Sequence, residues 1–282
     1  MSEVAKNLLI LLAAGLFLVG ALGHRAEASQ AAIVVAFLAT AVQWPRLPRL
    51  GRAFFVAALL ATPAVVFAFP ARIGEVEAAL VQGVAFTVLL STIGVMRVAV
   101  KRSRIAAEAT RWIVSVPGRS RYAAINVGAH FLSLLFNIGI VALIGELLGG
   151  DRDRRMSPDQ HRHLLLAGVR GTVLMTDWSP MGIGFAIVTT GIVGLDPLHF
   201  LGISFLVAVI LLAVTCGLFG RPPEGAETEA PRPLGSPLPV LAIVGVSLLL
   251  LAATVGLHRA LHVGFIVAAA VVLPLFSVLW VM

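Results

Sequence analysis

Residues His161–Phe200 read HRHLLLAGVRGTVLMTDWSPMGIGFAIVTTGIVGLDPLHF. The stretch is mostly apolar and lies among long apolar segments, yet Arg170 and Asp177 stand near its middle. A Thr176-Asp177-Trp178-Ser179-Pro180 interruption follows, then Gly182 and Gly184. A helix facing lipid would not carry that set, because charges at membrane depth are costly and turn toward a cavity or a partner. Helices interrupted by Gly and Pro at such depth mark binding sites in secondary transporters. The pattern predicts a re-entrant helical hairpin near 161–197. Its tip, 176–184, is expected to be non-helical backbone lining a polar cavity.

The surrounding chain fits that setting. Of 282 residues, 59% are hydrophobic and 12% charged, and the mean hydropathy is +0.99. That balance excludes a soluble domain and predicts an all-α, polytopic membrane helix bundle. The net charge of +7 does not point to nucleic acid. The basic residues sit in short loops between apolar runs, which is how membrane orientation is encoded. One cysteine, Cys216, excludes an intramolecular disulfide and a Cys-based metal cluster. No paired carboxylates, Ser-His-Asp set or lipid-phosphate motif stands out, so the residues do not point to an enzyme.

Hydropathy divides the chain into about eight spans besides the hairpin. They fall near 7–22, 30–44, 53–69, 78–98, 122–148, 201–219, 238–257 and 263–280. Between Arg97 and Arg121, seven basic residues face one acid, Glu108. The positive-inside rule puts that belt in the cytoplasm, together with the Arg46–Arg52 loop, and the N-terminus with them. Apolar residues at helical spacing predict an amphipathic helix near 98–116 lying on the membrane surface. Span 122–148 holds Asn126, His130, Ser133 and Asn137, and Asn137-Ile138-Gly139 is a candidate local unwinding. His130 reads either as a packed, hydrogen-bonded histidine or as a proton carrier. The loop Asp151–His163 alternates acids and bases, which favours self-pairing over a metal site.

A Pro-, Glu- and Gly-rich linker at 221–236 separates 1–220 from 237–282. The last two spans resemble the first two. Gly23-His24-Arg25-Ala26 precedes Ile33-Val34-Val35, and Leu257-His258-Arg259-Ala260 precedes Ile266-Val267, an offset near 234 residues. The chain then reads as one membrane repeat, a linker and the opening of a second, in the manner of inverted-repeat transporters. Such a chain is expected to need a second half or homo-oligomerisation. Counting the hairpin as re-entrant, however, six crossings separate the first span from the one at Leu238, and an inverted pair needs an odd number.

The hairpin residues have the chemistry of an ion site. Two half-helices meeting near mid-membrane expose N–H groups that attract anions and carbonyls that coordinate cations. Thr172, Thr176 and Ser179 add neutral hydroxyl ligands. Asp177 is a candidate ligand for a sodium ion or carrier of a proton. Arg170 is a candidate for an anionic substrate, since guanidinium pairs bidentately with oxyanions. The plainer reading is an Arg170–Asp177 ion pair, because seven residues are two helical turns.

With these residues in view, the chain resembles the ion transporter superfamily of arsenite efflux proteins, sodium–proton antiporters and divalent-anion/sodium symporters. Ser133-Leu-Leu-Phe136-Asn137 resembles that family's Ser…Asp-Asn element, with Phe136 where an Asp is common. Gly171-Thr172…Thr176-Asp177-Trp178-Ser179-Pro180 resembles its Gly-Gly-Thr…Pro tip, with Arg170 in place of the first Gly. The resemblance covers about 120–220 in detail and adds Asn137 and Gly171 to the candidate site. It implies a secondary transporter, or its N-terminal portion, in the cell membrane. The cargo would be a small ion or an organic or inorganic anion, coupled to sodium or protons, with no other cofactor. It also implies a first hairpin that opens from the cytoplasm, whereas the span count places the 161–197 hairpin outside. The alternative is a non-transporting membrane anchor that meets partners through its basic surface helix.

Overall fold

The computed structural model describes residues 3–118, 120–137, 139–149, 156–221 and 235–281. Among them there are α-helices and short 3-10 turns but no strand. The helices are α1 (Glu3–Gly23), α2 (Ala26–Val42), α3 (Arg49–Ala68), α4 (Ile73–Lys101), α5 (Arg104–Ser115) and α6 (Ser120–Phe136). They continue as α7 (Gly139–Leu148), α8 (Pro158–Thr176), α9 (Ile183–Gly191), α10 (Pro197–Phe219), α11 (Leu238–Leu261) and α12 (Phe265–Val281). Most of the 221–236 linker and residues 151–155 of the polar loop lie outside the described residues.

Four helical stretches among the described residues are long and apolar enough to cross a membrane: Arg49–Ala68, Pro70–Lys101, Pro197–Phe219 and Leu238–Leu261. Their outward faces are apolar. In α3 no residue is buried, and Phe67 is 86% exposed. Apolar surface on that scale is stable in lipid and not in water. The described residues are thus all-helical, with apolar helices of the kind that cross a membrane.

The chain forms two compact units, one of residues 1–91 with 258–271 and one of 92–257 with 272–282. In the first, α1 and α2 pack along each other. The chain turns between them at His24, whose φ is 50°. A Cβ on Gly20 would stand 2.9 Å from the Ser29 amide, so glycine permits the approach. Phe55 of α3 meets Phe37 at 5.8 Å and Trp44 at 6.1 Å. Between α11 and α12 the left-handed turn recurs at His262, with φ 52°. His262 thus makes a turn like that at His24, four residues beyond the His258 that the sequence likeness selects. His258 instead ends α11, its Nδ1 2.6 Å from the Val263 carbonyl.

The second unit is built on α6, α8 and α10. Parallel neighbours α6 and α8 approach closely, Asn126 of α6 lying against Gly171. The order of pairs along α10 bears on the expected hairpin. Arg170 lies over Phe219 at 3.8 Å, Trp178 meets Phe205 at 4.8 Å, and Phe185 meets Phe200 at 5.5 Å. Numbers rise on one side and fall on the other, through the 177–182 interruption. A hairpin would reverse the order at its tip. These pairs order α8, the break and the first turn of α9 along α10.

The reversal lies in the preceding element. Gly168 of α8 has both Ile125 of α6 and Ile144 of α7 beside it, and Gly145 faces Leu165. Ile144 and Ile125 thus face the same residue of α8, so the chain turns back between them. The turn is made near Asn137, in the left-handed region with φ 51°, a conformation Asn tolerates better than most residues. The expected long span 122–148 is two antiparallel helices, α6 and α7.

The expected surface helix also differs. α4 continues through Lys101, and Ser103 caps a new helix by accepting from the Ala106 amide at 3.3 Å. The apolar face of α5, with Ala106, Ala109 and Ile113, is buried. Ile113 fits against Gly128 of α6, where a Cβ would stand 2.4 Å from its Cδ1. The period was amphipathic, but protein covers the apolar face.

Candidate functional site at two helix breaks

The break between α8 and α9 is made by residues 177–182. Ser179 is buried, and its Oγ accepts from the Met181 amide at 3.3 Å. The Gly182 amide donates to the Ser179 carbonyl at 2.7 Å. The Thr176 carbonyl would lie 2.6 Å from a Cβ on Gly182 and 2.9 Å from one on Gly184. Both glycines thus let the last turn of α8 close on the first turn of α9. That first turn has no side-chain cap, which leaves a partial positive charge facing the break. The Asp177 carboxylate lies beside it, 3.5 Å from the position a Gly184 Cβ would take.

Asp177 is exposed at the edge of a groove of about 340 Å³. Its other walls include Leu174, Val188, Phe200 and Ile203, with Ser204 adding a hydroxyl. Thr176 closes α8 and donates its hydroxyl to the Val173 carbonyl at 2.7 Å.

Below the break lies a buried polar layer. Trp178 is fully buried, and its indole N–H donates to His130 Nε2 at 3.1 Å. The other ring nitrogen of His130 is 3.0 Å from the Gly171 carbonyl. A neutral imidazole protonated on Nδ1 satisfies both contacts. Asn126 donates to Thr215 of α10 at 2.9 Å. Two buried oxygens in this layer, Asn126 Oδ1 and Thr172 Oγ1, have no hydrogen-bond partner. Buried oxygens of that kind call for water or an ion.

The expected site residues thus fall in three places. Thr176, Asp177 and Ser179 make the break. Gly171 and Thr172 belong to the layer beneath it. Asn137 makes the α6–α7 turn. Because α6 and α8 are parallel and Leu134 packs with Trp178, Asn137, one helical turn further on, lies at the depth of the break. Arg170 stands apart. Its Nη1 donates to the Tyr122 hydroxyl at 2.8 Å, and its guanidinium covers Phe219. It therefore joins the start of α6 to the end of α10, roughly 10 Å along α8 from Asp177, and the two charges do not pair.

Additivity follows. Arg170→Gln removes a hydrogen bond and a cation–π contact, and Asp177→Asn removes an exposed charge. Denaturation of both single variants and the double should show costs that add within about 0.5 kcal/mol. A buried pair would instead lose roughly 3–5 kcal/mol in each single variant and recover in the double.

His130, Trp178 and Thr215 carry much of this layer and were not among the site residues expected from sequence. A histidine and a tryptophan 48 positions apart give no local signal of pairing. Among the described residues, no three His, Cys, Asp or Glu side chains gather to hold a metal ion. A cation at the break would instead be held by carbonyls, hydroxyls and one carboxylate. No family model, curated protein or solved structure matches this chain.

Proposed function

We propose that the chain is a secondary transporter, or the N-terminal portion of one, of the ion transporter superfamily it resembles. It moves a small ion or an organic or inorganic anion, coupled to sodium or protons. The observation that carries the reading is the pair of helix interruptions at one depth, Asn137 and 177–182. Non-helical backbone is tolerated within a bilayer where protein or a water-filled cavity surrounds it, and in transporters such breaks hold substrate and coupling ion. Asp177, Ser179 and the Thr176 carbonyl are the proposed cation ligands, with Asn137 opposite. The two unpartnered oxygens beneath, on Asn126 and Thr172, extend a polar path inward. Arg170 fixes the helix ends instead of binding substrate.

The geometry supports a consistent topology. With α6–α7 as the re-entrant element, α1 to α4 cross four times and α8–α9 together cross once. Crossings by α10, α11 and α12 complete eight, with a cytoplasmic N-terminus. The hairpin then opens on the side of the basic belt, as the resemblance implies. The end of α12 reaches that same side, and Val281 does share a groove with Arg102. Six crossings still separate α1 from α11, so the recurrence of His24 at His262 is read as a parallel likeness, and a second half or second copy supplies any inverted partner. The anchor alternative is weakened by α5, whose apolar face is already covered.

Melting of the purified chain in detergent tests the site. Sodium should raise the melting temperature above that in equal potassium, and small oxyanions should add to the shift. Asp177→Asn and Thr172→Val should melt normally in potassium and lose the sodium effect. Equal melting of the native chain in every salt would overturn the proposal.

A further inference from the structure

We propose that a groove between the C-terminal ends of α4 and α12 binds one anionic phospholipid. Its acyl chain lies along the groove and its phosphate on Arg102. The inference depends on α4 spanning the membrane and is independent of transport. The groove holds about 560 Å³ and is walled by Val95, Val98, Val278 and Val281. Val98, Val278 and Val281 are each more than half exposed. Arg102 stands at one end. From Val95 to Arg102 the helix rises roughly 10 Å, so an apolar wall runs away from a single cationic mouth. That is the shape of a lipid: a charged head at the interface and a chain beneath it.

Charge selects the occupant. The side chains of Lys101 and Arg102 are exposed, and neither makes a hydrogen bond or ion pair with another described residue. The one acid of the belt, Glu108, is taken by Arg104 at 2.8 Å. Among the described residues, the mouth therefore has no counter-anion. It lies on the side where the positive-inside rule puts the cytoplasm, and basic pockets between helices on that side bind anionic head groups. A choline head would bring another cation to these residues. A second copy docking through the same groove would bring two basic ends together.

Native mass spectrometry of the full chain in detergent, titrated with phosphatidylglycerol and with phosphatidylcholine of identical chains, tests this. Phosphatidylglycerol should bind about fivefold more tightly, the worth of one basic residue near the surface. Arg102→Gln should bring the two lipids to equal affinity. Val278→Trp, at an exposed position that a fold tolerates, should fill the groove and abolish binding of both. Melting curves of each variant in phosphatidylcholine check that it is folded. Equal affinities in the native chain, or a preference that survives Arg102→Gln, would overturn the proposal. So would competition by soluble glycerol phosphate, which marks a free-phosphate site. A dimer dissociated by Val278→Trp, without lipid preference, would assign the groove to a second copy.

Discussion

Gly171→Ala should cost about 3 kcal/mol or more, enough to deplete the folded chain in detergent. A Cβ there would stand 2.0 Å from the Asn126 carbonyl oxygen and 2.9 Å from its carbon. Both are backbone atoms of the facing helix, so no rotamer change makes room and α6 and α8 must separate. Overpacking alone costs about 1–3 kcal/mol. Separation also breaks the His130 contact with the Gly171 carbonyl and strains the Trp178 bond to the same ring, leaving buried donors without partners at roughly 1–3 kcal/mol each. Better helix propensity returns about 1 kcal/mol at most. Two controls rank the cause. At Gly128 the nearest atoms to an added Cβ belong to the Ile113 side chain and not to backbone, so the cost of Gly128→Ala should be smaller. Gly202→Ala meets nothing within 4 Å and should be neutral or slightly stabilising. Chemical denaturation of the three variants should give that order. Equal costs at Gly171 and Gly202 would show that the α6–α8 seam does not need a glycine.

Why the sequence revealed some of this and not the rest can be seen at particular residues. Apolar runs and punctuation are local, so α1 to α4, the Asn137 break and the Thr176–Gly184 interruption were all legible. The direction the chain takes after a break is not local. It is decided by pairs such as Arg170 with Phe219 and Phe185 with Phe200, whose members lie on different helices. Asn137 reverses the chain, whereas 177–182 is proposed to let it run on, although the second interruption is the longer and richer in Gly and Pro. Arg170 and Asp177 looked like partners because two helical turns separate them. What takes Arg170 away is Tyr122, whose hydroxyl offers an acceptor at the start of α6, and no spacing rule announces it. The apolar stripe of α5 was legible in the same limited sense. Its period is intrinsic to the sequence, but whether lipid or Gly128 covers it depends on the fold. The buried layer shows the same limit from the other side. His130 was visible as a polar residue in apolar sequence, with two readings open, and only the Trp178 indole at Nε2 selects a packed, neutral ring.

Single cysteines at Asp159 and Val193, each in a Cys216→Ser background, should be labelled from opposite sides of the membrane. Asp159 opens α8, and Val193 lies past the end of α9, fully exposed at 101%. The Phe219, Phe205 and Phe200 pairs fix the argument. α10 has 23 residues and is about 35 Å long, enough to span a hydrocarbon core of about 30 Å. Arg170 sits at its last residue, while Phe185 sits near its first turn. The five residues that join α9 to α10 reach at most about 18 Å, so α9 must end on the side where α10 begins. An impermeant maleimide added to intact cells should therefore modify Val193→Cys in seconds to minutes and leave Asp159→Cys untouched until the cells are opened. Ser103→Cys, in the basic belt, should behave as Asp159→Cys does. A re-entrant 161–197 hairpin makes the opposite demand, with both cysteines on one side. Labelling of both from outside, or of neither, would restore that hairpin and return α6–α7 to a crossing. Because the contrast is all or none, partial labelling efficiency cannot blur it, provided that each variant also reacts fully after permeabilisation.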